Sequence, residues 1–197
     1  MDREAPISYV ALDAMGVLYR QRGVSSLLVS FAASMGVAAD AGVARDLYRR
    51  ASRGLLSSAE LWQALGIPGP DRDAEFLEHR AVMPGARDFL AAMHAEGIPV
   101  GCITNDLAEW SRWLRRTHGL EDAIGPWVVS GEVGVRKPDA AIFQRFLAEA
   151  GCEAAECIFV DDTPENLDGA RRLGFRTQLF SGFDDVRNLI TQLHTVA

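Results

Sequence analysis

Residues 7–20 read ISYVALDAMGVLYR. The apolar run Tyr9, Val10, Ala11, Leu12 is rich in strand-prone side chains, ends in an acid, Asp13, and soon meets a glycine, Gly16. It predicts a buried strand that delivers a carboxylate to its carboxyl end. Open α/β sheets bind their ligands at that end. An acid closing one strand is weak evidence alone, because many strands exit into polar loops. Its weight comes from three later segments.

Positions 21–83 show no second strand pattern. Residues 26–36, 40–53, the segment opened by Ser57 with Glu60 three positions on, and 71–80 all read as helices, the third with a capping-box signature. From Pro84 one grammar recurs: proline at the first helical position, a helical pattern, glycine just past its end, then an apolar strand. Residues 84–97 lead into 98–104, 138–151 towards 157–160, and 164–174 into 175–180. A helix over 106–117, closed by His118 and Gly119, precedes a short strand at 127–129, and a last helix covers 184–194. Strands alternating with such helices imply right-handed crossovers and a parallel sheet covered on both faces. The expected fold is α/β: a Rossmann-like parallel-sheet core of residues 1–20 and 84–197, with residues 21–83 as an inserted helical block.

The chain has 197 residues, 48% of them hydrophobic, enough for a full core. A net charge of −7 with no extended basic run argues against nucleic acid and anionic membranes as partners. No apolar run has the length to span a bilayer, and the opening MDREAP lacks the regions of a secretory signal, so the cytoplasm is expected. Cys102, Cys152 and Cys157 stand at no zinc or redox spacing and read as packing residues. His79, His94, His118 and His194 are scattered, which makes a histidine metal site improbable. Trp110 and Trp113 recur with Leu107 and Leu114 at helical spacing and read as a core face. Oligomeric state, monomer or homodimer, is left open.

The later strands end in polar residues of a suggestive kind. The run 98–103 ends in Thr104, Asn105 and Asp106; 157–160 ends in Asp161 and Asp162; the loop GEVGVRKPD presents Lys137 before its helix. In a parallel sheet all of these reach the edge that holds Asp13. Acids so gathered repel one another unless a cation lies between them, and a hard, oxygen-seeking ion such as Mg²⁺ fits. Lys137 and Thr104 then face a substrate anion. The plainer alternative is helix capping, which needs one acid rather than two in a row. Lys137 is the only lysine, against nineteen arginines, which suggests that a compact ammonium is required there. As a loop residue it is expected to serve charge rather than packing.

Four motifs in order, LDAMGV, CITN, RKPD and FVDDTPEN followed by Ala170 and Gly174, resemble those of the haloacid dehalogenase-like (HAD) hydrolase superfamily, in the branch with a helical cap inserted after the first strand. The resemblance covers nearly the whole chain. It implies that Asp13 is a nucleophile, that Thr104 hydrogen-bonds the transferred group, and that Lys137 neutralises it. It further implies Mg²⁺ held by Asp13, Asp161, Asp162 and the backbone carbonyl of Met15. Asn105 and Arg20 are expected to bind a small anionic substrate, with Arg22, Arg49, Arg53 and Trp62 as further candidates, although arginine-bearing helix faces are usually only solvated. Phosphoryl transfer asks a protein for positioning and charge neutralisation, which such a set supplies.

Val17 is an ordinary variant of the family's threonine, but Met15 departs from the pattern. Phosphatases of the family carry a second aspartate there, which protonates the leaving oxygen, and a thioether cannot. The leading reading is a Mg²⁺-dependent phosphatase of small phosphorylated metabolites. The alternatives are dehalogenase-like hydrolysis at carbon, against which the acidic pair speaks, and a non-catalytic binding protein. A phosphonatase-type Schiff base is set aside because 21–83 contains no lysine.

Overall fold

The computed structural model describes residues 6–20, 23–69 and 71–195. Five strands, β1 (Tyr9–Leu12), β2 (Val100–Thr104), β3 (Trp127–Val129), β4 (Cys157–Asp161) and β5 (Arg176–Leu179), form one parallel sheet in the order β3-β2-β1-β4-β5. The chain winds outward from β1 to β3, then returns to the other side of β1 for β4 and β5. The switch point, where α/β sheets open a crevice, therefore lies between β1 and β4.

Helices are α1 (Val24–Ser34), α2 (Ala41–Ala51), α3 (Ser58–Ala64), α4 (Asp73–Leu77), α5 (Ala86–Ala95), α6 (Ala108–Thr117), α7 (Ser130–Val133), α8 (Ala140–Ala150), α9 (Pro164–Arg171) and α10 (Phe183–Thr195). Both faces of the sheet are covered, so its central strands read as continuous apolar runs. Val10, Leu12, Val100 and Val160 belong to one core with α5, α6, α10 and the α1–α4 segment. Tyr9, Ala11, Ile103 and Phe159 belong to the other, with Phe143 and Phe146 of α8 and Leu167 of α9. Cys102 and Cys157 pack inside as free thiols. Among the described residues, no helix is long and apolar enough to cross a membrane.

The Ser57–Glu60 capping box forms at α3, as its spacing predicts. The proline grammar holds at Pro164, the first residue of α9, but not at Pro84. There the chain runs antiparallel beside residues 18–20, with Tyr19 bridged to Val82 and the Met83 N–H donating to Leu18 O at 2.8 Å. It must turn before a helix can begin, and Gly85 supplies the turn at φ +81°, a conformation costly for any side chain with a Cβ. At Pro138 the helix likewise waits for Asp139, whose side chain accepts from the Ala141 N–H.

Helices α1 to α4 meet the rest of the chain through an aromatic cluster. Trp62 of α3 stacks on Trp110 of α6, with centroids 5.5 Å apart and planes at 29°, and Phe76 of α4 lies within 5.2 Å of both. Asp73 accepts both indole N–H groups at 2.8 Å and the Ser58 hydroxyl at 2.7 Å. Trp62, a sequence candidate for substrate contact, is therefore a packing residue with its only polar atom engaged.

Candidate active site

The sheet register assembles the site. Leu12 pairs with Cys102 on one side and with Val160 on the other. One step further along, Asp13, Ile103 and Asp161 stand abreast at the carboxyl edge. Lys137 closes that row: its ammonium donates to Asp13 Oδ1 at 2.7 Å, to Ile103 O at 2.6 Å and to Asp161 Oδ2 at 2.7 Å. Its side chain is fully buried, which corrects the expectation of a loop residue that serves charge alone. Asn105 clamps the lysine backbone, accepting from Lys137 N at 2.8 Å and donating to Lys137 O at 3.1 Å. The Asn105 amide, expected to bind substrate, is thus occupied in positioning Lys137 while lining the cavity above it.

The electrostatics of this row are unbalanced. Burial pushes Asp13 up to about 7, with Asp161 adding to the shift and Lys137 opposing it. Burial alone would lower the Lys137 pKa, but Asp13 and Asp161 overrule it and the net shift is upward. One shift favours a neutral acid and the other a charged base. The ammonium donating to both carboxylates at 2.7 Å decides for the charged arrangement. Asp162, raised by burial, adds a third acid. One ammonium among three carboxylates leaves two negative charges uncompensated.

Asp13, Asp161 and Asp162 each bring one oxygen within 4.8 Å of the others. All three are hard donors, and two uncompensated charges match a divalent ion, so the set fits Mg²⁺. Gly16 makes room for the Asp162 carboxylate. At φ +92° it takes a conformation that favours glycine, and a Cβ there would lie 2.1 Å from Asp162 Oδ2. Only a bare backbone lets the Asp162 carboxylate lie against the segment that carries the Met15 carbonyl. Asp161 is the most engaged of the three: Oδ1 accepts from Thr163 N at 2.8 Å, and Asn166 Nδ2 reaches Oδ1 and Oδ2 at 3.2 and 3.1 Å.

Thr104 ends β2 fully buried, and its hydroxyl has no hydrogen-bond partner among the described residues. Met15 is buried with its sulfur 3.8 Å from Arg80 Nη1. Asp106 lies in the same loop as Asn105; its Oδ1 accepts from Leu107 N at 2.9 Å, and burial pushes its carboxyl up to about 7 against the pull of Arg80.

A cavity of about 610 Å³ opens over Asp13, Lys137 and Asp162. Arg45, Tyr48 and Arg49 of α2 line it, together with Arg136 and Asn166. Tyr48 ties this wall to the site, its hydroxyl donating to Asn105 O at 2.6 Å. Of the arginines singled out in the sequence, Arg49 lies here, while Arg20 lines a different cavity between α1 and α4. Arg53 is exposed and lines neither, and Arg22 lies outside the described residues. Arg45, Tyr48 and Arg136 escaped the sequence reading, whereas Asn166 entered it only as part of the FVDDTPEN motif. The usable signals were the i, i+4 spacing of Arg45 and Arg49 and the adjacency of Arg136 to Lys137.

Known proteins resemble this chain in sequence and in fold. A phosphoserine phosphatase of Thermus thermophilus is 31% identical over 188 residues, 88% of this chain and 68% of the relative. A sesquiterpene phosphatase of Aspergillus oryzae is 32% identical over 118 residues, and a phosphoglycolate phosphatase of Rhodospirillum rubrum 35% over 111. Those matches cover 58% and 52% of this chain and span 60% and 46% of the two relatives. Among solved structures, a HAD-like family hydrolase from Porphyromonas gingivalis superposes with a TM-score of 0.77 at 20% identity. A HAD family enzyme from Bacteroides thetaiotaomicron, solved as a magnesium complex, gives 0.75 at 21%. Each pair covers 94% of this chain and 98% of the other, and at such identities the likeness is one of fold. The sequence profile of the haloacid dehalogenase-like hydrolases matches residues 7–174, and the chain belongs to that family.

Proposed function

We propose that the protein is a Mg²⁺-dependent phosphatase of small phosphorylated metabolites that works through an aspartyl-phosphate on Asp13, with residues 21–83 as a cap over the site. One observation carries the reading: a buried ammonium fixed between Asp13 and Asp161 at 2.7 Å each, with Asp162 completing an acidic set that one lysine cannot neutralise. The phosphatase names of several relatives support it.

In this mechanism an Asp13 carboxylate oxygen attacks phosphorus, the phosphorus–oxygen ester bond breaks, and the alcohol oxygen leaves with the bonding pair. Water then attacks the acyl phosphate, inorganic phosphate departs, and the Asp13 carboxylate is restored. Lys137 fixes Asp13 in attacking position, and the free Thr104 hydroxyl donates to a phosphoryl oxygen. Mg²⁺, held by Asp13, Asp161, Asp162 and the Met15 carbonyl, would neutralise phosphoryl charge. Met15 brings no proton to the leaving oxygen, which favours substrates that depart without one.

The test is turnover of p-nitrophenyl phosphate and acetyl phosphate with Mg²⁺. Activity should vanish with chelator and in Asp13→Asn. Chelator-resistant release of halide from 2-haloacids, without phosphatase activity, would replace this reading by hydrolysis at carbon.

A further inference from the structure

The catalytic row accounts for one wall of the cavity and leaves another unexplained. Arg45 and Arg49 of α2 and Arg136 of the lysine loop line it together, and the lining residues include no acid besides Asp13 and Asp162. None of the three arginines forms an ion pair among the described residues. Arg136 is half-buried and pinned, donating to Ser52 Oγ and lying 5.5 Å from the Tyr48 ring centroid. Burial lowers its pKa, and Arg49 and Arg53 push the same way, so like charges crowd it. The first residues of α1, Val24 and Ser25, reach the same cavity, and no side chain caps that helix. Its free N–H groups add positive potential there.

Charge counting says what this wall is for. Three acids, Lys137 and a divalent ion sum to zero, so the three arginines leave the loaded site at three positive charges. A phosphate monoester brings two negative charges, and one remains to be matched. A single planar carboxylate suits both that remainder and the guanidinium fork. Arg45, Arg49 and Arg136 line the same cavity of about 610 Å³ as Asp13, so both anions belong to one small molecule that fits within it.

On the reading of the site as a phosphatase, we infer that the substrate is a phosphomonoester bearing a carboxylate within a few bonds of the phosphoryl group, bound by Arg45, Arg49 and Arg136. The test is calorimetric titration with phosphonoacetate and with its near-isostere ethylphosphonate, at saturating Mg²⁺. Wild type should bind phosphonoacetate at least about tenfold more tightly. Arg49→Ala and Arg136→Ala should each shrink that ratio towards one, while far-ultraviolet circular dichroism confirms the fold. Equal affinity for the two ligands in wild type, with p-nitrophenyl phosphate still turned over, would overturn the carboxylate site and leave the phosphatase reading standing. Binding of neither ligand together with no turnover would overturn both.

Discussion

On the proposed phosphatase reading Met15 takes the place of a general acid, and its neighbourhood decides what restoring that acid can achieve. Rates over a series of phosphate esters should fall steeply as leaving-group pKa rises. Positioned acids contribute ~10²–10⁴-fold, but a carboxylate placed 3.8 Å from Arg80 is held in its charged form. Met15→Asp should therefore raise the slowest alkyl esters by only about tenfold and leave aryl phosphates little changed. A flat wild-type series would mean that another residue gives the proton. Lys137→Ala should abolish turnover and also lower unfolding stability by about 3–5 kcal/mol in urea titrations, since it strands buried carboxylates. An unchanged urea midpoint would contradict the buried ion pairs. Asp106 gives a pH signature. Folded, it keeps its proton to about pH 7; unfolded, it loses it near ~3.9. The folded state thus binds more protons across that window, and stability falls as pH rises through it. Asp106→Asn should gain on wild type by up to about 4 kcal/mol between pH 4 and pH 8, whereas a constant difference would mean normal ionisation. That Asp13, Thr104 and Asp161 share one sheet edge was legible because they close apolar strands. The depth of Lys137 was not, since only the register of three strands reveals its acceptors.

At the scale of elements, Asp73 bears the most on one contact. One carboxylate serves two indoles and a hydroxyl drawn from α3 and α6. Asp73→Ala leaves those donors without an acceptor inside an aromatic cluster and should cost ~2–4 kcal/mol. Asp73→Asn retains one oxygen that both indoles can share and should cost less. Equal stability of the two variants would show that the oxygen's acceptor role does not matter. Helices and strands with local signals were readable: the capping box at Ser57, the proline opening α9, the acid-ended β1. Pro84 misled because its helix start is set by pairing with residues 18–20, a contact 65 positions away from its own neighbours. The same holds for Asp73, which reads as an ordinary first-turn acid until Trp62 and Trp110 are brought to it.

For the whole molecule, the alternation of strands and helices specified a parallel sheet, but not its order. That order places β1 between β2 and β4, so the crevice holds Asp13 beside Asp161. The placement of α2 over the crevice depends on long-range packing, and so Arg45 and Arg136 stayed hidden while Arg20 drew notice. The contact between Trp62 and Trp110 has an optical consequence. Two stacked indoles, fixed in chiral register, couple their electronic transitions. The far-ultraviolet circular dichroism should therefore carry an exciton couplet superposed on the helical bands, one that tracks the seating of α3 on α6.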